Sequence, residues 1–464
     1  MTASRIRHKP PHRRRARRRL GPAVAIAIAA LLAMAGAAQA HATTSSLDCG
    51  STITRDTTLS SDLTNCPGDG LVIGADGITL NLNGHTIDGT VTQSSTCDEP
   101  PFGNSGIVLG GHDRLRIENG TVQQFSNGVA GGDYGEGVAD SDLRDLVVRD
   151  NRFTGITLGS NQLLNNHNRI EDNETYGNGC SAGIALNSAD GNHVAGNRSH
   201  DNGGGIAICC SPNNVVEDNV VARNRDTGIA IYFGRHSHNV VRDNTITGNG
   251  DGIFVGFQEG ASQDDVITDN HSYGNSNSAV VLDDARGIQI SGNRLDHSAF
   301  GVLVFGDANT IVHNQVTDIV GCPDSADPCG MGIAIAAGAD NVVEANSVAR
   351  TVFDGVAVVA FDPGSTTSGT VVRDNVVRAA QNDDYSVGAV GEGTVTGTLL
   401  TDDLALGAGD DGFDIHLPGT TLTRDSAFHN ADLGIDAVAG TIDGGGNMAH
   451  GNGNPAQCTG VSCG

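Results

Sequence analysis

Tyr232, Arg235, His236, Glu259, Asp283, Arg286, Phe305 and Asp307 lie close together in a chain otherwise dominated by small and aliphatic residues. Their types suit carbohydrate chemistry. Glycosidic hydrolysis needs two carboxylates flanking one bond, roughly 6.5–9.5 Å apart for inversion, and Asp283, Glu259 and Asp307 are the candidates. Arg286 or Arg235 would bind a substrate carboxylate or act as a base, and Tyr232, Phe305 and His236 would contact the sugar. Lyase chemistry would add a cation such as Ca²⁺ to neutralise a uronate, held by the same acids. His236-Ser237-His238 could hold a metal through two imidazoles, although each of these residues also suits a solvated turn, and no metal is assigned.

A repeat positions these residues. The unit small/polar-x-[VIL]-x-x-Asn, then a polar turn and a Gly-[Ile/Val]-x-[Ile/Val] run, recurs between Leu146 and Thr370 at intervals of 21 to 32 residues. Clear copies are NRIEDN (168–173), NHVAGN (192–197), NVVEDN (214–219), NVVRDN (239–244) and NVVEAN (341–346). Self-similarity at this period marks a solenoid. Nothing between copies has the length or 3.6-residue period of a helix, and GIAI (228–231) or GVLV (301–304) alternates as a half-buried strand does. The next copy supplies each strand's neighbour in parallel, about 4.8 Å away. The closing asparagines, Asn151, Asn173, Asn197, Asn219, Asn244, Asn270, Asn293, Asn314, Asn346 and Asn375, then stack at a turn and bond from coil to coil, with Asp403 and Asp425 in the same slot.

Stacking aligns a ledge just after each strand: Asn187-Ser188, Cys209-Cys210, Tyr232-Phe233, Gly256-Phe257, Asp283-Asp284, Phe305-Gly306-Asp307. Carboxylates one or two coils apart on it meet the spacing that hydrolysis needs. Continued alternation turns Tyr232, Asp283 and Phe305 outward and Phe233 and Phe257 into the core, and lets only one of Asp283 and Asp284 face a groove.

Residues 1–40 read as a secretory signal: a basic leader, the apolar run GPAVAIAIAALLAMAGAA and a small-x-small site before His41. Residues 41–69 read as an N-terminal cap, 70–453 as the coils and 454–464 as a clipped tail. The leader holds nine of the 27 basic residues, including the only lysine, and no acid. The remainder is 18 basic against 54 acidic residues, a formal charge of −36. Such a surface excludes nucleic acid and anionic membranes as partners and repels polyuronates unless a cation bridges. Ten cysteines in an exported chain imply disulfides. Short loops favour Cys49–Cys66, Cys322–Cys329 and Cys458–Cys463, whereas Cys97, Cys180, Cys209 and Cys210 stay unassigned.

The Asn-x-[VI]-x-x-Asn…Gly-Ile-x-Ile unit resembles the right-handed parallel β-helix proteins of the pectin-lyase-like superfamily. It is most similar to the group holding periplasmic copper-binding and carbohydrate-associated β-helix repeats. The resemblance spans about residues 70–453 and implies an all-β, single-domain solenoid. It also implies a groove along one strand face, used by polysaccharide enzymes of the superfamily. Asp-Pro-His-[Asp/Glu], as in alginate epimerases, is absent, as are Gly-His-Gly and Arg-Ile-Lys, as in polygalacturonases. An arginine base with bridging Ca²⁺, as in pectate lyases, fits the composition. Copper handling would imply exposed Met/His clusters, and the chain has four methionines. The expectation is a secreted, monomeric β-helix that binds a polysaccharide or envelope glycan along a strand face, as a lyase or hydrolase if it is an enzyme. The rival is a non-catalytic envelope scaffold whose loops contact proteins.

Overall fold

The computed structural model describes residues 47–92, 97, 103–132, 136–159, 165–233, 237–257, 264–322, 329–361, 363–389 and 391–464. The leader, Arg235, His236 and Glu259 lie outside the described residues. The described chain is an all-β parallel solenoid of about 14 turns.

Each coil gives one short strand to each of three parallel sheets. Thr227–Tyr232 lies in the first, Val240–Arg242 in the second and Thr245–Thr247 in the third. Near the N-terminus single long strands, Arg116–Gln123 and Asp142–Arg149, serve the second and third sheets together. Pairing is residue for residue, as in the inward column Ile206, Ile229, Ile253, Val280, Val302, Ile333 and Val356, every member of which is buried. A one-residue slip would turn each such column to solvent, so the pattern fixes the register. Pairing begins at Ser51–Ile53 against Leu71–Ile73 and ends with a bridge between Ile435 and Cys458.

Strands are short because left-handed residues end them. The residue before each ladder asparagine has positive φ: Asp172 at 55°, Asp218 at 55°, Asp243 at 56°, Gly292 at 66°. Glycine, Asp and Asn reach that conformation at least cost, which is why the repeat reads Asp-Asn or Gly-Asn. The asparagine that follows is buried and bonds vertically. Asn219 donates its backbone N–H and its Nδ2 to Asn244 Oδ1, both at 3.0 Å, and Nδ2 again to Val194 O at 2.9 Å.

The sequence predicts one such ladder, and the structure holds three. Asn168, Asn192, Asn214 and Asn239 stack at a second corner; Asn151, Asn178, Asn202, Asn224, Asn249 and Asn275 stack at a third, so Asn151 does not join the predicted ladder, where Leu146 N donates to Asn173 Oδ1 instead. The predicted ladder continues through Asp403, which accepts from Asn375 N at 2.8 Å, and Asp425, which accepts from Asp403 N at 3.0 Å.

The three predicted disulfides are present, and Cys97 pairs with Cys180. That fourth pair joins residues 83 apart in sequence.

Two stability outcomes follow. Asn219→Ala or Asn244→Ala leaves buried donors and acceptors unpaired and costs about 1–3 kcal/mol in denaturant unfolding. Asp403 behaves in the opposite sense. Burial and the neighbouring Asp425 hold its pKa well above the ordinary carboxylate value, and its Oδ2 is buried without a partner. The folded chain therefore retains a proton that the unfolded chain releases near pH 4. The stability this confers at acid pH is lost as pH rises toward neutrality. Asp403→Asn restores an amide to the rung and should raise stability at pH 7 by about 1–3 kcal/mol, with little gain at pH 4.

Candidate functional site

The ledge after the first sheet forms as its residues stack. Its corner residues are left-handed: Ser188 at φ 48°, Cys210 at 57°, Phe233 at 52°, Phe257 at 59° and Asp284 at 54°. Each corner N–H reaches the next coil, as Phe233 N to Gly256 O at 3.3 Å and Phe257 N to Asp283 O at 3.1 Å. The reversed φ interrupts strand alternation, which overturns the inward placement expected of Phe233 and Phe257. They are 53% and 49% exposed. With Tyr232 and Phe254 they form one packed group, with centroids 5.7 Å apart for the stacked pair Phe233–Phe257, 6.0 Å for the stacked pair Tyr232–Phe257 and 5.4 Å for the tilted pair Phe254–Phe257. Gly256 permits it, since a Cβ there would stand 2.4 Å from the Phe254 ring.

Beyond the aromatics the ledge opens into a cleft of about 430 Å³ lined by Asp283, Asp284, Arg286, Phe305 and Asp307, among others. Four predicted site residues thus share one cleft, with Asp283 in register with Phe305 and Arg286 with Asp307. Both adjacent aspartates line it, contrary to the expectation of one. A register shift between Asp283 and Ala285 and the left-handed Asp284 remove the alternation that would have separated them. Burial, then the charge of Asp284, raises the Asp283 pKa. Asp307 Oδ1 accepts the Ala339 N–H at 2.8 Å, so that oxygen already has a structural task.

A second acidic group lies on the later coils of the same sheet, where the sequence reading named no site. The residue opening the strand segment is Asp354, Asp383, Asp411 and Leu433 in four successive coils, and the residue three places on is Ala357, Ser386, Asp414 and Asp436 in register. The signal is legible as DGVA, DDYS, DGFD and LGID at 354, 383, 411 and 433. It precedes the strand, whereas the ledge residues follow it. Asp383 Oδ1 accepts from Asp411 N at 2.9 Å and Asp411 Oδ1 from Leu433 N at 2.7 Å, so these acids also tie coil to coil. Oxygens of Asp411, Asp414 and Asp436 lie within 4.8 Å of one another, as do those of Asp383, Asp410 and Asp411. His416 Nε2 meets Asp414 Oδ2 at 2.6 Å. Met331, Phe353 and Phe361 wall a depression of about 260 Å³ beside them. Burial pushes the Asp383 pKa up to about 8, helped by the charges of Asp354, Asp414 and Asp411, and pushes Asp411 to about 6. Burial and the surrounding charges thus push the two acids apart, with Asp383 the harder to ionise.

Family comparison decides what this scaffold is. The periplasmic copper-binding protein (NosD) model matches residues 67–260 and 178–318, and the right-handed β-helix region model matches 259–439. The chain belongs to the NosD family of right-handed β-helix proteins. Solved structures with a similar fold include three proteins. The Dettilon tailspike protein is 15% identical with a TM-score of 0.45, over 73% of this chain and 62% of that one. The mannuronan C-5 epimerase AlgE4 A-module of Azotobacter vinelandii is 16% identical with a TM-score of 0.37, over 81% and 91%. The tailspike of E. coli bacteriophage HK620, solved with a pentasaccharide, is 14% identical with a TM-score of 0.46, over 89% and 73%. The chain thus spans under two thirds of the Dettilon tailspike. No curated protein matches the sequence.

The family description names copper, and the described residues do not fit it. Their three-residue groups close enough to share an ion are carboxylates alone, hard donors that suit Ca²⁺ or Mg²⁺ rather than copper. Of the methionines, Met331 is buried and Met448 exposed, in coils far apart. The periplasmic description and four disulfides are consistent with an extracytoplasmic location.

The protonation of Asp383 has a spectroscopic consequence. At pH 7 an infrared difference spectrum between wild type and Asp383→Asn should contain a protonated-carboxyl stretch, and the same difference at pH 9 should contain a carboxylate band instead.

Proposed function

We propose that this protein binds a neutral polysaccharide along the outer face and ledge of the first sheet. The observation that carries the reading is the pair of exposed rings, Phe233 and Phe257, packed on half-buried Tyr232 and Phe254. An aromatic face packs against the C–H face of a pyranose, and a soluble protein has no folding reason to hold such a group in water. Asp283, Asp284, Arg286 and Asp307 in the neighbouring cleft supply hydrogen bonds to sugar hydroxyls. The net charge of −27 disfavours a polyuronate. The basic leader, the apolar run and the disulfides support export before folding.

Bond cleavage is a second reading, favoured by one observation. Oxygens of Asp383 and Asp411 lie within 4.8 Å of one another, and burial raises the Asp383 pKa above that of Asp411, an arrangement that offers a proton donor beside a carboxylate. Asp383 would protonate the leaving glycosidic oxygen, and Asp411 or Asp414 would face the developing positive charge at the anomeric carbon. Activity of this kind falls as pH rises through about 8, where Asp383 ionises.

Isothermal titration against a panel of neutral and uronate polysaccharides, the latter with and without Ca²⁺, tests the first reading. A neutral glycan should bind, and Phe233→Ala or Phe257→Ala should weaken it by roughly tenfold, the equivalent of about 1.4 kcal/mol, with an unchanged β-type circular dichroism spectrum. Absence of binding to every glycan would favour the envelope scaffold instead. For the second reading, wild type should release reducing ends from the bound glycan and Asp383→Asn should not. An ultraviolet-absorbing double bond in the product would indicate a lyase and overturn the role given to Asp383.

A further inference from the structure

Eight of the ten cysteines are joined in disulfides. The two left over are neighbours in sequence, Cys209 and Cys210. Their place in the fold is specific. Cys209 ends the strand Gly204–Cys209 and is in register with Asn187 below and Tyr232 above. Cys210 is the left-handed corner residue, φ 57°, stacked in the series Ser188, Cys210, Phe233, Phe257. The pair therefore occupies, one coil earlier, the same two positions as Tyr232-Phe233. Cys210 N donates to Tyr232 O at 3.0 Å, which ties the two coils at this point. The left-handed turn brings the sulfurs of Cys209 and Cys210 to 3.0 Å, and Cys210 is exposed.

We propose that Cys209 and Cys210 form a vicinal disulfide in the mature protein, and that its sulfur ring extends the aromatic ledge by one coil as an added glycan contact. The second half of this rests on the reading of the ledge as a glycan-binding surface, and the first half does not. An environment that joins the other four pairs will oxidise two further thiols held in contact, one of them open to solvent. The oxidant is a disulfide, carried by a small molecule or by a thiol–disulfide oxidoreductase. The Cys210 thiolate attacks one sulfur of that disulfide, forming a mixed disulfide and releasing the first oxidant thiol. Cys209 loses its proton to solvent and attacks Cys210 Sγ, releasing the second. Two S–H bonds are lost, one S–S bond forms, and the oxidant disulfide becomes two thiols. Cys210 acts first because it is the exposed thiol; Cys209 is half-buried, and burial followed by the bond to Cys210 pushes its pKa up to about 12.

Reduced, the pair presents two thiols that interrupt the ledge between Asn187 and Tyr232. Oxidised, it presents a compact, polarisable, donor-free surface against the edge of the Tyr232–Phe257 group, of the kind on which a sugar C–H face can rest.

The test begins with the full chain secreted from cells, alkylated without reduction and digested. The peptide carrying Cys209 and Cys210 should be unalkylated and lighter by two hydrogens than the same peptide after reduction. Alkylation of both cysteines before reduction would overturn the disulfide, whatever the protein binds. The ledge contact is tested on a neutral polysaccharide that binds wild type, using Cys209→Ser/Cys210→Ser with circular dichroism and thermal melting as checks on folding. A folded double variant should bind roughly fivefold more weakly, the equivalent of about 1 kcal/mol. Unchanged affinity would overturn the contact. Should the double variant misfold, Cys210→Ser alone serves for the same comparison. Failure of wild type to bind any glycan removes the ledge reading itself, and the peptide mass still decides the disulfide.

Discussion

Burial of a backbone turn is the constraint on which this structure depends. A solenoid coil must reverse direction three times within about two dozen residues, and each reversal would leave amide groups inside the stack without water. The asparagine side chain solves this by acting as a vertical backbone. Its Oδ1 accepts from the coil before it, and its Nδ2 donates to the coil after it and to a carbonyl farther back, as Asn197 does with Asn219 and Ile170 O. A leucine at these corners would leave the same donors unpaired and would disrupt the stack. Three ladders of this kind hold the coils in one register, and the aliphatic columns fill the space between them.

Fixed register is what gives the outer surface its order. A residue type that recurs at one position of the repeat becomes a row along the axis, whatever the loops between do. The aromatic group, the cleft around Asp283 and the aspartate rows of the last coils are therefore products of the same regularity. They differ in what the scaffold asks of them. Asp383 and Asp411 each tie one coil to the next through one oxygen, and Asp383 and Asp414 line the depression. Phe233 and Phe257 serve no ladder and bury little, so their exposure is a cost borne by the fold. That asymmetry is why the aromatic ledge is proposed as the recognition surface.

Much of the fold was legible because the repeat makes its own argument. The Asp-Asn and Gly-Asn dipeptides report a left-handed residue before a buried amide, and the Gly-Ile-x-Ile run reports a strand with one face inside. The second and third ladders were harder to read, because Asn168 and Asn178 sit beside turn residues of the same polar type. In the site, the grouping of Asp283, Arg286, Phe305 and Asp307 followed from counting along the coil. The orientation of Phe233 and Phe257 did not. Alternation is a rule of extended backbone, and both rings stand on residues where the backbone has reversed. The Cys97–Cys180 pair was also out of reach, since no period relates the two positions. The aspartate rows were written in the sequence, one strand-length before the positions that were compared.

The amide ladders, more than the strand pairings, are the most persistent part of the stack. Native-state hydrogen exchange resolved to single residues tests it most directly. The backbone amides of Asn197, Asn219 and Asn244, each donated to the next asparagine's Oδ1, should be among the slowest to exchange and should open only with global unfolding. Exchange of these amides as fast as that of exposed corner residues such as Phe233 and Phe257 would contradict the account.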